Sequence, residues 1–289
     1  MLLSAPAKLN LTLDVLARRP DGYHELSTIM QTVSLCDIVE VEAVRSTRTH
    51  IAVKTDQAYL PVNERNTAYK AAAAFLSECG IEAEVSITIQ KKIPVGAGLG
   101  GGSADAAAVL YALNTLLSVE LDGERLNRIA AGVGADVPFA LRGGCAVAGG
   151  IGERLSGLPV FEELHIVICK PRLSASTKTI FSKLKVAEIQ EHPDTAGAAE
   201  AIRQKNIGAL AFRLFNVLEP ITASVRPCVR EIHKRLLQAG ALGAAMTGTG
   251  TAVFGVFADE AAAGSAAERL KSRYEHTYSV QPRSGVEEI

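Results

Sequence analysis

Residues 94–104 read Pro94-Val95-Gly96-Ala97-Gly98-Leu99-Gly100-Gly101-Gly102-Ser103-Ala104, and an alanine-rich run continues to Leu110. Five glycines fall within the seven positions from Gly96 to Gly102. Glycine tolerates positive φ and lets a ligand approach the backbone, at an entropic cost that an idle surface loop has no reason to carry. Val85–Ile89, before the loop, alternates as a half-buried strand does, and Ser103–Leu117 after it reads as a helix with Ser103 as N-cap. A helix start offers unpaired N–H groups and the positive end of the helix dipole, which together hold a phosphate. Strand, glycine loop and helix start therefore predict a phosphate cradle.

The type of cradle is narrowed by what surrounds it. No lysine follows the glycines, so the loop is not a Walker A loop. Gly96-x-Gly98-x-x-Gly101 does satisfy the dinucleotide fingerprint, with Glu120 and Asp122 further on. A dinucleotide-dependent oxidoreductase therefore stays open on these residues alone. Against it, Gln90, Lys91, Lys92 and Pro94 separate strand from loop, and Ser86 and Thr88 suit a sheet with one wet face.

The 289 residues are 48% hydrophobic, enough for one large or two moderate cores. A net charge of −1 leaves no electrostatic footprint for nucleic acid or an anionic membrane. Cys36, Cys79, Cys145, Cys169 and Cys228 form no Cys-x-x-Cys pair, which fits reduced thiols in a cytoplasmic protein without zinc. Met1–Lys8 has no signal-peptide pattern, and the uncharged stretch 239–258 is too rich in glycine and threonine for a membrane span.

Leu9, Leu11, Leu13 and Val15 alternate with polar residues, predicting a strand with one dry face. Lys8, Asn10, Thr12 and Asp14 share its opposite face. Pro20-Asp21-Gly22 turns the chain, and strands are expected near Asp37–Ala43 and Thr49–Lys54. Asn66 caps a helix ending at Gly80, and a second helix covers Gly123–Ala131. The glycine-rich Gly132–Gly152 reads as a hinge or domain join. Beyond it come a strand at Leu164–Cys169, helices at Ile207–Leu218, Val229–Gln238 and Asp259–Arg273, and strands at Thr251–Phe257 and Thr277–Val280. Val286–Ile289 is expected to fray. This interleaving without regular βαβ alternation predicts an α+β fold.

Two further segments carry chemistry. Gly134-Ala135-Asp136-Val137-Pro138 sets one carboxylate among small residues, where a helix cap or Asx turn is the plain alternative. Thr247-Gly248-Thr249-Gly250-Thr251 is a second backbone-rich loop able to donate N–H groups.

Pro6-Ala7-Lys8-Leu9-Asn10, the Gly96–Ser103 loop, Gly134–Pro138 and Met246–Gly250 follow one another as in the small-molecule kinases named for galacto-, homoserine, mevalonate and phosphomevalonate kinases (GHMP). The chain resembles that superfamily over essentially its whole length. Pro20-Asp21-Gly22-Tyr23-His24, with Gly134-Ala135-Asp136-Val137-Pro138, narrows the resemblance to the branch that phosphorylates a cytidine-diphosphate-linked methylerythritol in the non-mevalonate route to isoprenoids. Another GHMP small-molecule kinase is the nearest alternative.

The resemblance implies two domains: residues 1–157, ribosomal-S5-domain-2-like and holding ATP, and residues 158–289, ferredoxin-like, with the last strand free to return to the first domain. It implies ATP and Mg²⁺ as cofactors, a small-molecule substrate, and a monomer or homodimer. Lys8 and Asp136 match the catalytic pair, with Asp136 as general base. Pro94–Ala104 matches the phosphate loop, and Asn66 and Lys92 the surroundings of the adenine. Ser103 is the one residue the motifs offer to the metal. On the substrate side, Asn10 matches the erythritol contact, and Tyr23, His24, Thr177 and Phe181 the cytosine site. Thr247, Gly248, Thr249 and Gly250 match the third motif, where the family more often has serines. Ser182 stands where relatives often carry lysine.

Overall fold

β1 (Leu2–Arg18) and β2 (His24–Arg45) make a long antiparallel hairpin whose turn is closed by the Arg19 N–H on the Tyr23 carbonyl at 2.8 Å. The computed structural model describes all residues, 1–289. Then come β3 (His50–Thr55), α1 (Thr67–Cys79), β4 (Ala83–Gln90), α2 (Gly101–Leu116), α3 (Gly123–Val133) and α4 (Val137–Arg142). β5 (Cys145–Gly150) and β6 (Arg154–Leu158) extend the first sheet. The rest of the chain supplies β7 (His165–Lys170), α5 (Thr177–Lys183), α6 (Thr195–Arg203), α7 (Ile207–Phe212), β8 (Phe215–Asn216), α8 (Glu219–Val225) and α9 (Cys228–Gln238). It closes with β9 (Gly243–Met246), β10 (Val253–Phe257), α10 (Glu260–Lys271), β11 (His276–Val280) and β12 (Glu287–Glu288).

The first sheet runs β12-β1-β2-β4-β3, and β2 is long enough to hold two partners on one side. Ile38–Arg45 pairs with β4, while Leu26–Gln31 pairs with β5. β2 is antiparallel to both β1 and β4, so the glycine loop does not leave a parallel doubly wound sheet. That arrangement removes the dinucleotide-fold reading. The second sheet, β11-β7-β10-β9, is antiparallel throughout. The architecture is α+β, as the element pattern predicts.

α2 is buried on nearly every face, and its alanines allow the sheet and α1 to approach closely. On β7, Ile166 and Ile168 join the large core of the first sheet, whereas Val167 and Cys169 face a second core built with α9 and α10. The second sheet is thus buried on both sides, and one continuous core joins the two halves.

Five expectations are corrected. The polar face of β1 is not wet: Lys8, Asn10, Thr12 and Asp14 are all buried. Alternation marks two different faces, but it does not say what covers the second. α2 starts at Gly101 with Gly100, in the left-handed region, as its cap residue, so Ser103 lies in the first turn. Gly132–Gly152 is no hinge, since it contains α4 and β5, and β5 is paired along β2. The helix at Ile207 stops at Phe212, because Phe215 and Asn216 pair with Thr12 and Leu13 of β1. Val286–Ile289 does not fray: Glu287 and Glu288 pair with Ser4 and Leu3, although β11 belongs to the other sheet.

Phe254 is fully buried in the shared core. Phe254→Ala should lower stability by about 3–5 kcal/mol, read from the midpoint of urea unfolding.

Candidate active site

β1 supplies the centre. Lys8 Nζ donates to Asn10 Oδ1 at 2.7 Å and lies 3.4 Å from Asp136 Oδ2. Asp136 sits at the cap position of α4, yet its side chain caps nothing and about a third of it is exposed. The helix-cap alternative for this carboxylate therefore fails, and its free oxygen faces a cleft. The Lys8 N–H bonds the Leu99 carbonyl at 2.9 Å, stitching β1 to the glycine loop. The stem of Lys8 runs beside Gly100 (φ +72°), where an added Cβ would lie 2.9 Å from Lys8 Cγ.

Asn10 links this pair to the third motif. Its Nδ2 donates to Thr28 Oγ1 at 2.9 Å, and its backbone N–H donates to Thr247 Oγ1 at 3.0 Å. The Thr247 hydroxyl lies 3.3 Å from Asn10 Oδ1 and 3.2 Å from the Gly98 carbonyl, one of which takes its proton. Gly98 (φ +79°) is pressed against the same loop: a Cβ there would stand 2.2 Å from the Thr247 carbonyl oxygen. The loop itself hangs from two residues that no motif singled out. Asn216 Nδ2 donates to the carbonyls of Met246 and Gly248 at 2.7 and 2.8 Å, and Glu219 accepts the Met246 N–H at 2.8 Å. The hydrogen bond from His233 to Glu219 raises the histidine above its ordinary pKa, against the cost of burial.

Two cavities meet at the glycine loop. One, about 1090 Å³, is lined by Lys8, Asn10, Asp136, Tyr23, His24, Thr177, Phe181, Gly248 and Thr249. The other, about 350 Å³, is lined by Pro94–Ser103 with Leu60, Asn66 and Lys91. Gly98, Gly100 and Ser103 line both, so the loop is the wall between them.

The structure brings only some of the remaining sequence-derived candidates to these cavities. Ala104 is buried behind the loop. Asn66 spends its side chain locally, accepting from the Ala68 N–H at 2.9 Å and donating to the Pro61 carbonyl at 2.8 Å. The Lys92 side chain is exposed and lines neither cavity, while its neighbour Lys91 reaches the smaller one. Thr247 and Gly250 lie beneath the larger cavity, with the Gly250 N–H on the Thr247 carbonyl at 2.9 Å. Phe181 stacks directly on His24 (centroids 4.9 Å apart, planes at 27°), and Tyr23 stands 60% exposed beside them. The Thr177 and Thr249 hydroxyls meet at 3.0 Å, fastening α5 to the third motif.

Beneath the smaller cavity lies a buried charge cluster that the sequence did not reveal. Lys91 Nζ binds Asp37, and also Asp105 Oδ2 at 2.7 Å. Asp37 Oδ1 accepts the Lys92 and Ile93 N–H groups at 2.6 and 2.8 Å, while Asp105 Oδ1 is buried without a partner. Burial raises the Asp105 carboxyl to about 7, Lys91 opposing and Asp37 adding to the rise. Burial works against the Lys91 charge, but the two carboxylates together raise its pKa. Aspartates spaced 68 residues apart give no sequence signal of such a cluster; the doubled lysine at 91–92 was the one hint.

No group of three or more His, Cys, Asp or Glu side chains converges on a metal site. No helix is long and apolar enough to cross a membrane.

The model for the GHMP kinases N terminal domain matches residues 66–144, and that for the GHMP kinases C terminal residues 197–276. The chain is 45% identical over 270 residues to the 4-diphosphocytidyl-2-C-methyl-D-erythritol kinase of Acetivibrio thermocellus, covering 93% of this chain and 94% of that one. It is 43% identical over 271 residues to the kinase of the same name from Caldicellulosiruptor saccharolyticus, covering 94% and 93%. Among solved structures it superposes on a 4-(cytidine 5'-diphospho)-2C-methyl-D-erythritol kinase with a TM-score of 0.81 at 35% identity, covering 99% of this chain and 100% of that one. A homoserine kinase from Cytophaga hutchinsonii matches with the same TM-score of 0.81 but 22% identity, covering 100% and 97%, and shares the fold.

Gly98→Ala would drive a methyl into the Thr247 carbonyl. We expect a folded protein whose phosphoryl transfer falls roughly 100-fold, the cost of a misplacement near 1 Å, measured as ADP release. The folded Asp105 pKa lies above its unfolded value, so this group's contribution to stability is complete below about pH 4 and is lost as pH rises through about 7. Asp105→Asn should remove that loss, so the variant gains on wild type as urea unfolding is repeated from pH 5 to 8.

Proposed function

The chain belongs to the 4-diphosphocytidyl-2-C-methyl-D-erythritol kinases of the GHMP family, and from that premise we propose how its cleft works. The enzyme moves the γ-phosphoryl group of ATP to the 2-hydroxyl of 4-diphosphocytidyl-2-C-methyl-D-erythritol, a step toward isoprenoid precursors. ATP occupies the smaller cavity with its phosphates along Gly96–Ser103, and the cytidyl substrate occupies the larger one. The observation that carries this reading is the placing of the Lys8–Asp136 pair, 3.4 Å apart, in the cavity that shares Gly98, Gly100 and Ser103 with the other.

A tertiary hydroxyl is crowded and weakly acidic, so a carboxylate that accepts its proton lowers the barrier. Asp136 is that base. The hydroxyl oxygen bonds to the γ-phosphorus, the bond from phosphorus to the bridging oxygen of ADP breaks, and the proton passes to Asp136. Lys8, 3.4 Å from Asp136, offsets negative charge gathering on the transferring oxygens. Asn10 fixes Lys8 and orients the erythritol hydroxyls. Loop N–H groups and the start of α2 hold the phosphate chain.

Mg²⁺ suits this site without a protein cage, because it keeps several waters and binds through phosphates plus one or two protein oxygens. Ser103, facing both cavities, is the residue that would hold it, and the ion would neutralise phosphate charge. At the cytosine end, Phe181 has to leave His24 for the base to enter, after which Tyr23 and Phe181 flank it. The five free cysteines and a small-molecule substrate suit a cytoplasmic enzyme, acting as a monomer or homodimer, with its border between ATP and substrate domains near residue 157.

Asp136→Asn should lower kcat by about 10²–10⁴ while ATP still binds, read from ADP release with the cytidyl substrate. Near-wild-type turnover in the variant would remove the base from this mechanism.

A further inference from the structure

We propose that Arg18 and Lys178 form a cationic clamp for the diphosphate that joins the cytidine to the alcohol of the substrate. The inference deepens the proposed function and takes the substrate's identity from it. Two negatively charged phosphates must cross the larger cavity, from the Tyr23–His24–Phe181 end to the Lys8–Asp136 end. Three lysine or arginine side chains line that cavity: Lys8, Arg18 and Lys178. Lys8 is committed to Asn10 and Asp136, and Asp136 is the cavity's single acidic side chain.

Arg18 and Lys178 take part in no ion pair and no side-chain hydrogen bond. The neighbour of Arg18 does: Arg19 pairs with Asp21 and Glu25, at 3.0 and 3.2 Å. The hairpin turn therefore neutralises Arg19 and leaves free Arg18, which lines the cleft. Unpaired charge of one sign lining a concave surface focuses the field and attracts an anion. Position agrees with charge. Arg18 pairs with His24 across the β1–β2 ladder, and burial, with the Arg18 charge second, lowers the His24 pKa. On α5, Lys178 follows Thr177, which touches Thr249, and precedes Phe181, which stacks on His24. It lines the same cavity as Lys8, Asp136, Tyr23 and His24. The arginine fork can take two phosphate oxygens at once, and the lysine adds a movable point charge.

The test is calorimetric titration of CDP and of cytidine into the protein, its nucleotide cavity filled with a non-hydrolysable ATP analogue. Wild type should bind CDP at least about tenfold more tightly than cytidine, as charge-assisted bonds require. The Arg18→Gln/Lys178→Gln double variant should lose that preference, while Arg18→Lys/Lys178→Arg keeps it. In steady state the Gln pair should raise KM for the cytidyl substrate, with kcat and the ATP KM unchanged. Equal binding of CDP and cytidine by wild type, or a preference surviving in the Gln pair, overturns the clamp. Failure of wild type to phosphorylate the cytidyl substrate would overturn the activity instead, while the CDP preference would still be read on its own.

Discussion

Burial of the polar face of β1 is the constraint on which the rest of this structure rests. A strand that buries Lys8, Asn10, Thr12 and Asp14 must satisfy each of them, because an unpaired buried polar group costs more than most single contacts return. The partners come from elements remote in sequence: Asp136 for Lys8, Thr28 and Thr247 for Asn10, Thr195 for Thr12, and His192, at 2.8 Å, for Asp14. Satisfying the strand therefore assembles the cleft. The hydrogen bonds that hold the two halves together are, at their centre, the ones that orient Lys8 beside Asp136.

The glycine loop completes the arrangement by close approach. Gly98 lies against the Thr247 carbonyl and Gly100 against the stem of Lys8, contacts that no side chain at either position would permit. Behind the loop, α2 and the shared core give it a rigid base, since Ile166 and Ile168 of the second sheet enter the same apolar cluster as α2. The two cavities thus share Gly98, Gly100 and Ser103 of one loop, whose position is set from both halves of the chain.

Much of this was legible because its signals are local. Glycine spacing announces a backbone that must bend or be approached, and the alternation of Val85–Ile89 and the caps Asn66 and Asp259 mark their elements directly. What could not be read depends on distant partners. Alternation along β1 showed two faces, but the covering of the polar face comes from residues 136 to 247. The buried central part of β2, Met30–Val33, has no alternation to read, because both of its faces are covered. Phe215–Asn216 looked helical until β1 offered a ladder. Lys91, not Lys92, reaches the smaller cavity because Asp37 and Asp105 draw it inward. Asn216 and Glu219 anchor the third motif through backbone atoms, which leave no trace in a pattern of side chains.

The most direct test is to identify the oxygen that receives the phosphoryl group. Phosphorus NMR of the product formed from ATP and 4-diphosphocytidyl-2-C-methyl-D-erythritol should show one new phosphomonoester, on the tertiary 2-hydroxyl, in step with ADP. A phosphate on a different hydroxyl, or ADP accompanied by inorganic phosphate alone, would contradict the placing of Lys8 and Asp136 around that oxygen.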